Sequence, residues 1–259
     1  MYPPLALLLA LLLAQLSLPS LATEALLRLE SRPNVKVPVF HMRTDGAIAS
    51  VVLLPGGAGG FGKMVDGKPS GENFLVRSRD HFAAARLDVA VMGRASDMKE
   101  LGFADRISPE HMKDVRAVVD YLRKDTGLPV WLVGTSRGTV SATGAAISLG
   151  RDFLAGVVLT SSVTSPGRIG AVPKQALDRI DIPVLVLHHE NDGCGICAPH
   201  EVPGILEGLR NAPVKKLVFV RGGTDPAGDP CGALHFHGFI GMEKSVVETI
   251  AAWILAPSP

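Results

Sequence analysis

The chain has 259 residues, with 26 lysines and arginines against 25 aspartates and glutamates, and a formal net charge of +1. Its basic residues are scattered, with no continuous basic stripe and no aromatic ladder, which argues against a nucleic-acid partner. Aromatics make up only 5% of it, so the apolar mass is Val, Leu, Ile and Ala, the composition of buried parallel strands covered by helices on both faces.

Leu5 to Leu13 is nearly all Leu and Ala, and Ser20-Leu21-Ala22 places small residues at the −3 and −1 positions of a cleavage site. This reads as a secretory signal peptide, residues 1–22, although no Lys or Arg precedes the apolar run. An uncleaved N-terminal anchor is the competing reading, but the run is short for a bilayer. The expectation is export to the periplasm or the medium, with no membrane segment after cleavage. Residues 23–259 are expected to form a single domain, a length sufficient for a substantial core.

Ala25–Glu30 and Val35–His41 read as two short leading strands separated by a Pro-Asn turn, and Pro38 inside the second points to an edge position. Ile48–Leu54 is a buried-type strand running into the glycine-rich loop Pro55–Gly62, and Leu87–Met92 is the next strand. Ser108-Pro109 opens a helix as cap and first turn. Met112, Val115, Val118, Val119 and Leu122 give that helix an apolar face, and Gly127 follows its end. Asp105, Arg106 and His111 around its start read as capping or surface side chains, or as the rim of a pocket. The Lys and Arg residues of Arg116–Lys124 read as a solvated helix face.

Val130–Val133 is a strand, and Thr139–Ala146 a helix-forming stretch rich in small residues. Between them stands Gly134-Thr135-Ser136-Arg137-Gly138. A Gly-x-Ser-x-Gly turn between a buried strand and a helix is a nucleophile elbow, in which the glycines permit close packing around a strained, exposed serine. Further strands are expected at Gly156–Thr160, Val184–His188 and Lys216–Val220, with helical stretches at Lys174–Arg179 and Val202–Leu209 and a last helix at Glu243–Leu255. Alternating strands and helices imply an α/β fold with a mostly parallel sheet and helices on both faces.

A serine nucleophile needs a base, and the base needs an acid to orient it. Elbow enzymes place them in the order Ser, acid, His. The acid is available in His188-His189-Glu190-Asn191-Asp192-Gly193, and the base in Leu234-His235-Phe236-His237-Gly238-Phe239. Both segments follow strands, where active sites of open α/β sheets form.

With the elbow, the Asn191-Asp192 loop and His237-Gly238-Phe239 in that order, the chain resembles the α/β-hydrolase superfamily, and most of all its small exported bacterial serine hydrolases. The resemblance spans essentially the whole of 23–259. It implies Ser136 as nucleophile, Asp192 as acid and His237 as base, with Glu190 and His235 as the alternative acid and base. The glycine-rich loop then resembles an oxyanion-hole turn, with the backbone N–H of Gly57 (Ala58 next) and that of Arg137 as donors. The implied activity is hydrolysis of a small ester-like substrate, without organic cofactor or metal.

The three cysteines lie late in the chain, and an oxidising compartment favours one disulfide among them. Cys194–Cys231 would tie the acid and base loops together. Cys197 could replace Cys194, or Cys194 and Cys197 could pair locally. Two rival readings use the same segment differently. His188, His189, Cys194, Cys197, His200, Cys231, His235 and His237 form a set of possible zinc ligands, so a metal-binding or metal-dependent hydrolase is conceivable. A non-catalytic hydrolase-like binding protein is the other.

Overall fold

Every residue of the segments Ala49–Leu54, Leu87–Met92, Val130–Thr135, Gly156–Thr160 and Val184–His189 is buried. Strands with no solvated face must lie inside a sheet covered on both sides. The computed structural model, which describes residues 23–259, shows this arrangement; the signal peptide expected at 1–22 lies outside the described residues.

In chain order the strands are β1 (Thr23–Arg32), β2 (Val35–Arg43), β3 (Ala49–Leu54), the short β4 (Met64–Val65) and β5 (Lys68–Pro69), β6 (Leu87–Met92), β7 (Val130–Thr135), β8 (Gly156–Thr160), β9 (Val184–His189) and β10 (Lys215–Val220). Eight of them form one sheet in the order β1-β2-β6-β3-β7-β8-β9-β10, and β4 and β5 form a separate hairpin. β1, β2 and β6 pair antiparallel, and all pairs from β6 to β10 are parallel.

The helices are α1 (Phe74–Arg77), α2 (Arg79–Ala84), α3 (Pro109–Thr126), α4 (Arg137–Leu149), α5 (Pro203–Gly208) and α6 (Glu243–Leu255). Alternate residues of each strand serve the two layers. Val52, Leu54 and Leu132 pack with Val115, Val118 and Leu122 of α3 and Ala142 and Ala145 of α4. Val51, Leu53 and Val133 pack with Phe74 of α1, Phe82 of α2 and Val247 and Ile250 of α6. No helix among the described residues is long and apolar enough to cross a membrane.

The ends of α3 follow from its sequence. The Ser108 side chain accepts the His111 N–H at 3.1 Å, Pro109 occupies the first turn, and Gly127 closes the helix at φ 68°. Two local expectations change. Pro38 does not mark an edge strand, because β2 lies between β1 and β6. The proline is tolerated because it sits where the β2–β6 ladder ends, its carbonyl accepting the Gly93 N–H at 2.8 Å. Lys174–Arg179 is not a helix but parts of two 3-10 turns, Val172–Lys174 and Leu177–Arg179.

Candidate active site

Four carboxyl ends of parallel strands converge here. β7 ends in the elbow, where Ser136 adopts φ 53° and ψ −128°. A non-glycine residue there is strained, and the strain persists because the surroundings fix it. The Ser136 N–H is tied to the Thr160 carbonyl at 3.0 Å. A Cβ on Gly138 would overlap the Leu54 carbonyl, and one on Gly134 would lie 2.6 Å from the Gly138 carbonyl. Both elbow glycines are therefore required by close backbone approach. α4 begins at the next residue, so its first N–H groups and its dipole face the space above Ser136.

β3 ends in the glycine-rich loop. A Cβ on Gly56 would stand 2.8 Å from the Ser136 Cβ and 2.9 Å from the Thr135 carbonyl. The loop thus lies directly against Ser136. Gly57 has φ 58° and is exposed, and the Gly59 N–H closes a turn on the Gly56 carbonyl at 3.0 Å.

The residues expected as acid and base, Asp192 and His237, follow β9 and β10. Asp192, 5% exposed, accepts the His237 Nδ1–H through Oδ2 at 2.8 Å and the Cys194 N–H through Oδ1 at 2.9 Å. Its Oδ2 also lies 3.1 Å from His188 Nε2. Burial acts to raise the Asp192 pKa, but the hydrogen bonds from His188 and His237 outweigh it and hold the carboxyl down at about 2. With its Nδ1 proton committed to Asp192, His237 presents a buried Nε2 that has no protein partner. The loop that carries His237 is anchored independently. The Ser161 hydroxyl donates to the His237 carbonyl at 2.8 Å, and Arg77 bridges the Gly238 carbonyl and Glu243.

Gly56, Gly57, Ser136, Cys231 and His237 line one cavity of about 230 Å³. The sequence-expected residues Ser136, Asp192 and His237 are therefore brought together, with Gly57 at the same cavity and Arg137 at the start of α4. Of the alternatives, Glu190 turns away to pair with Arg221, and His235 stands edge-on to the Phe236 ring with its buried Nδ1 unpartnered among the described residues.

Cys194 and Cys231 form a disulfide across 37 residues, and Cys197 is a free, buried thiol. Burial first, then Asp192, push the Cys197 thiol well above its ordinary range, with the Ser136 hydroxyl pulling the other way. Cys194, Cys197 and His237 have donor atoms within 4.8 Å of one another, the geometric trace of the zinc reading. The chemistry of that set does not suit a metal. Cys194 sulfur is committed to the disulfide, Cys197 resists forming the thiolate a metal needs, and His237 donates its Nδ1 proton to Asp192.

No protein-family model matches the chain, and no curated protein sequence matches it. Its backbone is similar to several solved structures. A dienelactone hydrolase from Anabaena variabilis matches at TM-score 0.64 and 15% identity, over 91% of this chain and 98% of that one. An esterase from Pyrococcus furiosus matches at TM-score 0.67 and 13% identity, over 90% and 91% of the two chains. An α/β serine hydrolase homologue from Coxiella burnetii matches at TM-score 0.61 and 15% identity, over 88% and 96%.

The chain has the α/β-hydrolase fold.

Within this α/β-hydrolase framework the sequence reading missed two side chains. Arg106 is 1% exposed rather than a surface residue. It donates from Nη2 to the carbonyls of Pro55 and Gly57, each at 3.2 Å, and from Nη1 to Ser141 Oγ at 3.1 Å. Among the described residues no carboxylate forms an ion pair with it, and Asp105 acts on it only through its field. Burial first, then Arg137, pull its pKa down to about 9, so it remains charged at neutral pH. Ser141 passes the chain of bonds on to His111 Nε2 at 2.9 Å. Burial, then Arg106, hold His111 near pKa 4 and hence neutral, so it adds no second buried charge beside Arg106. The second is His188, whose Nε2 faces both Asp192 and the Cys197 carbonyl, the latter at 2.9 Å. The sequence did not point to these partners: Arg106 read as a capping, surface or rim side chain, and His188 as a possible zinc ligand.

Proposed function

We propose that this chain is a serine hydrolase that cleaves ester-like bonds of small molecules through Ser136, His237 and Asp192. The observation that carries the reading is the pairing of a strained elbow serine with a His237–Asp192 hydrogen bond at one cavity. A folded chain keeps such strain where it serves a site.

Ser136 Oγ attacks the substrate carbonyl carbon while His237 Nε2 takes the hydroxyl proton. Asp192 holds the ring by Nδ1 and stabilises the imidazolium. The negative charge on the former carbonyl oxygen is met by the backbone N–H groups of Gly57 and Arg137, each typically worth ~3 kcal/mol in the transition state. Collapse expels the alcohol, which receives the proton from His237, and water repeats the sequence to release the acid and restore Ser136. The cavity of about 230 Å³ is smaller than the ~300–1,000 Å³ of most ligand sites, which supports a short acyl group. We read residues 1–22 as the signal peptide of an exported enzyme.

The test is hydrolysis of chromogenic esters of graded acyl length. Acetate and butyrate esters are expected to be cleaved much faster than decanoate esters, with activity lost in Ser136→Ala. Equal rates for wild type and Ser136→Ala would remove the reading.

A further inference from the structure

A cavity larger than the one at Ser136 lies elsewhere on the molecule. About 790 Å³ of space opens between α3, the far half of α4 and the 3-10 turns at 172–179. Its floor is apolar, with Met112 of α3, Ile147 and Leu149 of α4 and Ala176 among the lining residues. Its rim carries Lys113, Arg116, Lys174 and Arg179, and no Asp or Glu lines it.

The charge arrangement is specific rather than a by-product of a basic surface. Asp178 and Asp181 flank Arg179 in sequence, yet they pair with Arg210 at 3.3 Å and Arg151 at 2.5 Å, away from it. Arg116 pairs with Asp120 and lies over the Phe153 ring. Lys113, Lys174 and Arg179 have no ion pair among the described residues and reach the cavity from two different segments. In a chain of net charge +1, three unpaired cations around an apolar floor form a local field that favours an anion.

The floor is held open by a glycine. Gly144 sits in the interior of α4 with ordinary helical backbone, where glycine is costlier than alanine by roughly 0.5–1 kcal/mol. A Cβ there would meet Met112 Sδ at 3.4 Å and Gln175 Oε1 at 3.6 Å, both residues of the cavity wall. The missing side chain leaves room instead of permitting a turn.

We propose that this cavity binds a single-chain amphipathic anion, a free carboxylate with an alkyl tail. The tail lies on the Met112, Gly144 and Ile147 floor, and the head group meets Lys113, Lys174 and Arg179. The site is separate from Ser136 and does not depend on the hydrolase reading. The smaller catalytic cavity suits a shorter chain.

Titration calorimetry of the whole protein with decanoate, below its micellar range, tests the assignment. One decanoate per chain is expected, and Lys174→Glu/Arg179→Glu is expected to weaken binding at least about tenfold, equivalent to ~1.4 kcal/mol. Gly144→Leu, which fills the floor without touching a charge, should weaken it comparably while circular dichroism and Tm stay those of a folded protein. Ser136→Ala should bind as wild type does. The proposal is overturned if charge reversal leaves decanoate affinity unchanged, if 1-decanol binds as tightly, or if decanoate does not bind. Tight association with phosphatidylglycerol vesicles alongside negligible decanoate affinity would likewise overturn it, in favour of a membrane surface.

Discussion

Arg106→Met is the substitution that most sharply separates the site's architecture from its reacting groups. The guanidinium holds the carbonyls of Pro55 and Gly57 at 3.2 Å, and these belong to the peptide units whose N–H groups are those of Gly56 and Ala58. Fixing the two units fixes the turn between them, including the Gly57 N–H. Methionine fills much of the same volume but leaves both carbonyls without their donor, at ~1–3 kcal/mol each. Against that loss stands the relief of no longer burying an unpaired cation, a penalty of several kcal/mol in its own right. The two contributions are of similar size and offset one another, so stability should change by no more than about 2 kcal/mol, or roughly 4–8 °C in Tm for a chain of this size. The effect on turnover should be larger. A relaxed turn forfeits part of a donor worth ~3 kcal/mol, so kcat should fall about 10–100-fold with KM little changed, because the contact forms only in the transition state. Melting curves with steady-state kinetics on a butyrate ester measure both. A folded variant that keeps wild-type kcat would refute the clamp as a determinant of the oxyanion turn.

Asp192→Asn should keep the fold but leave His237 without its acceptor, lowering kcat by about 10³–10⁴; kinetics on folded variant measures it. The Asp192 carboxyl, held down at about 2, contributes on the order of 2 kcal/mol at neutral pH through linkage. A lowered folded pKa gives stability that is complete above the ordinary carboxylate range and lost as pH falls toward 2, so acid unfolding of the Asn variant should show a shallower pH dependence. His237→Ala should remove far more activity than His235→Ala, and the reverse ranking would move the base. Cys231→Ser should lower stability by about 4 kcal/mol on the chain-entropy account of a 37-residue loop, read by urea unfolding. Cys197 should resist alkylation until the protein is unfolded, which mass spectrometry after timed labelling reveals.

The fold was legible because its buried strands are continuous apolar runs and its helices carry caps and stripes, as at Ser108-Pro109 and Glu243–Leu255. The elbow was legible because its glycines and serine sit in a fixed local pattern. What sequence could not show is long-range polar pairing. Arg106 lies 51 residues from Pro55 and 35 from Ser141 along the chain, and nothing local distinguishes it from a capping arginine. His188 is hidden in the same way, since its role depends on how the β9 loop folds back. Pro38 misled for a related reason: a proline is tolerated wherever a ladder ends, and only the strand order shows where that is.

The central claim is that Ser136 is an activated nucleophile. Incubation with a fluorophosphonate followed by peptide mass mapping tests it most directly. One adduct per chain is expected, on Ser136, formed rapidly in wild type, markedly slower in His237→Ala, and absent in Ser136→Ala. Failure of the folded wild type to label, or a single adduct on another residue, would contradict it.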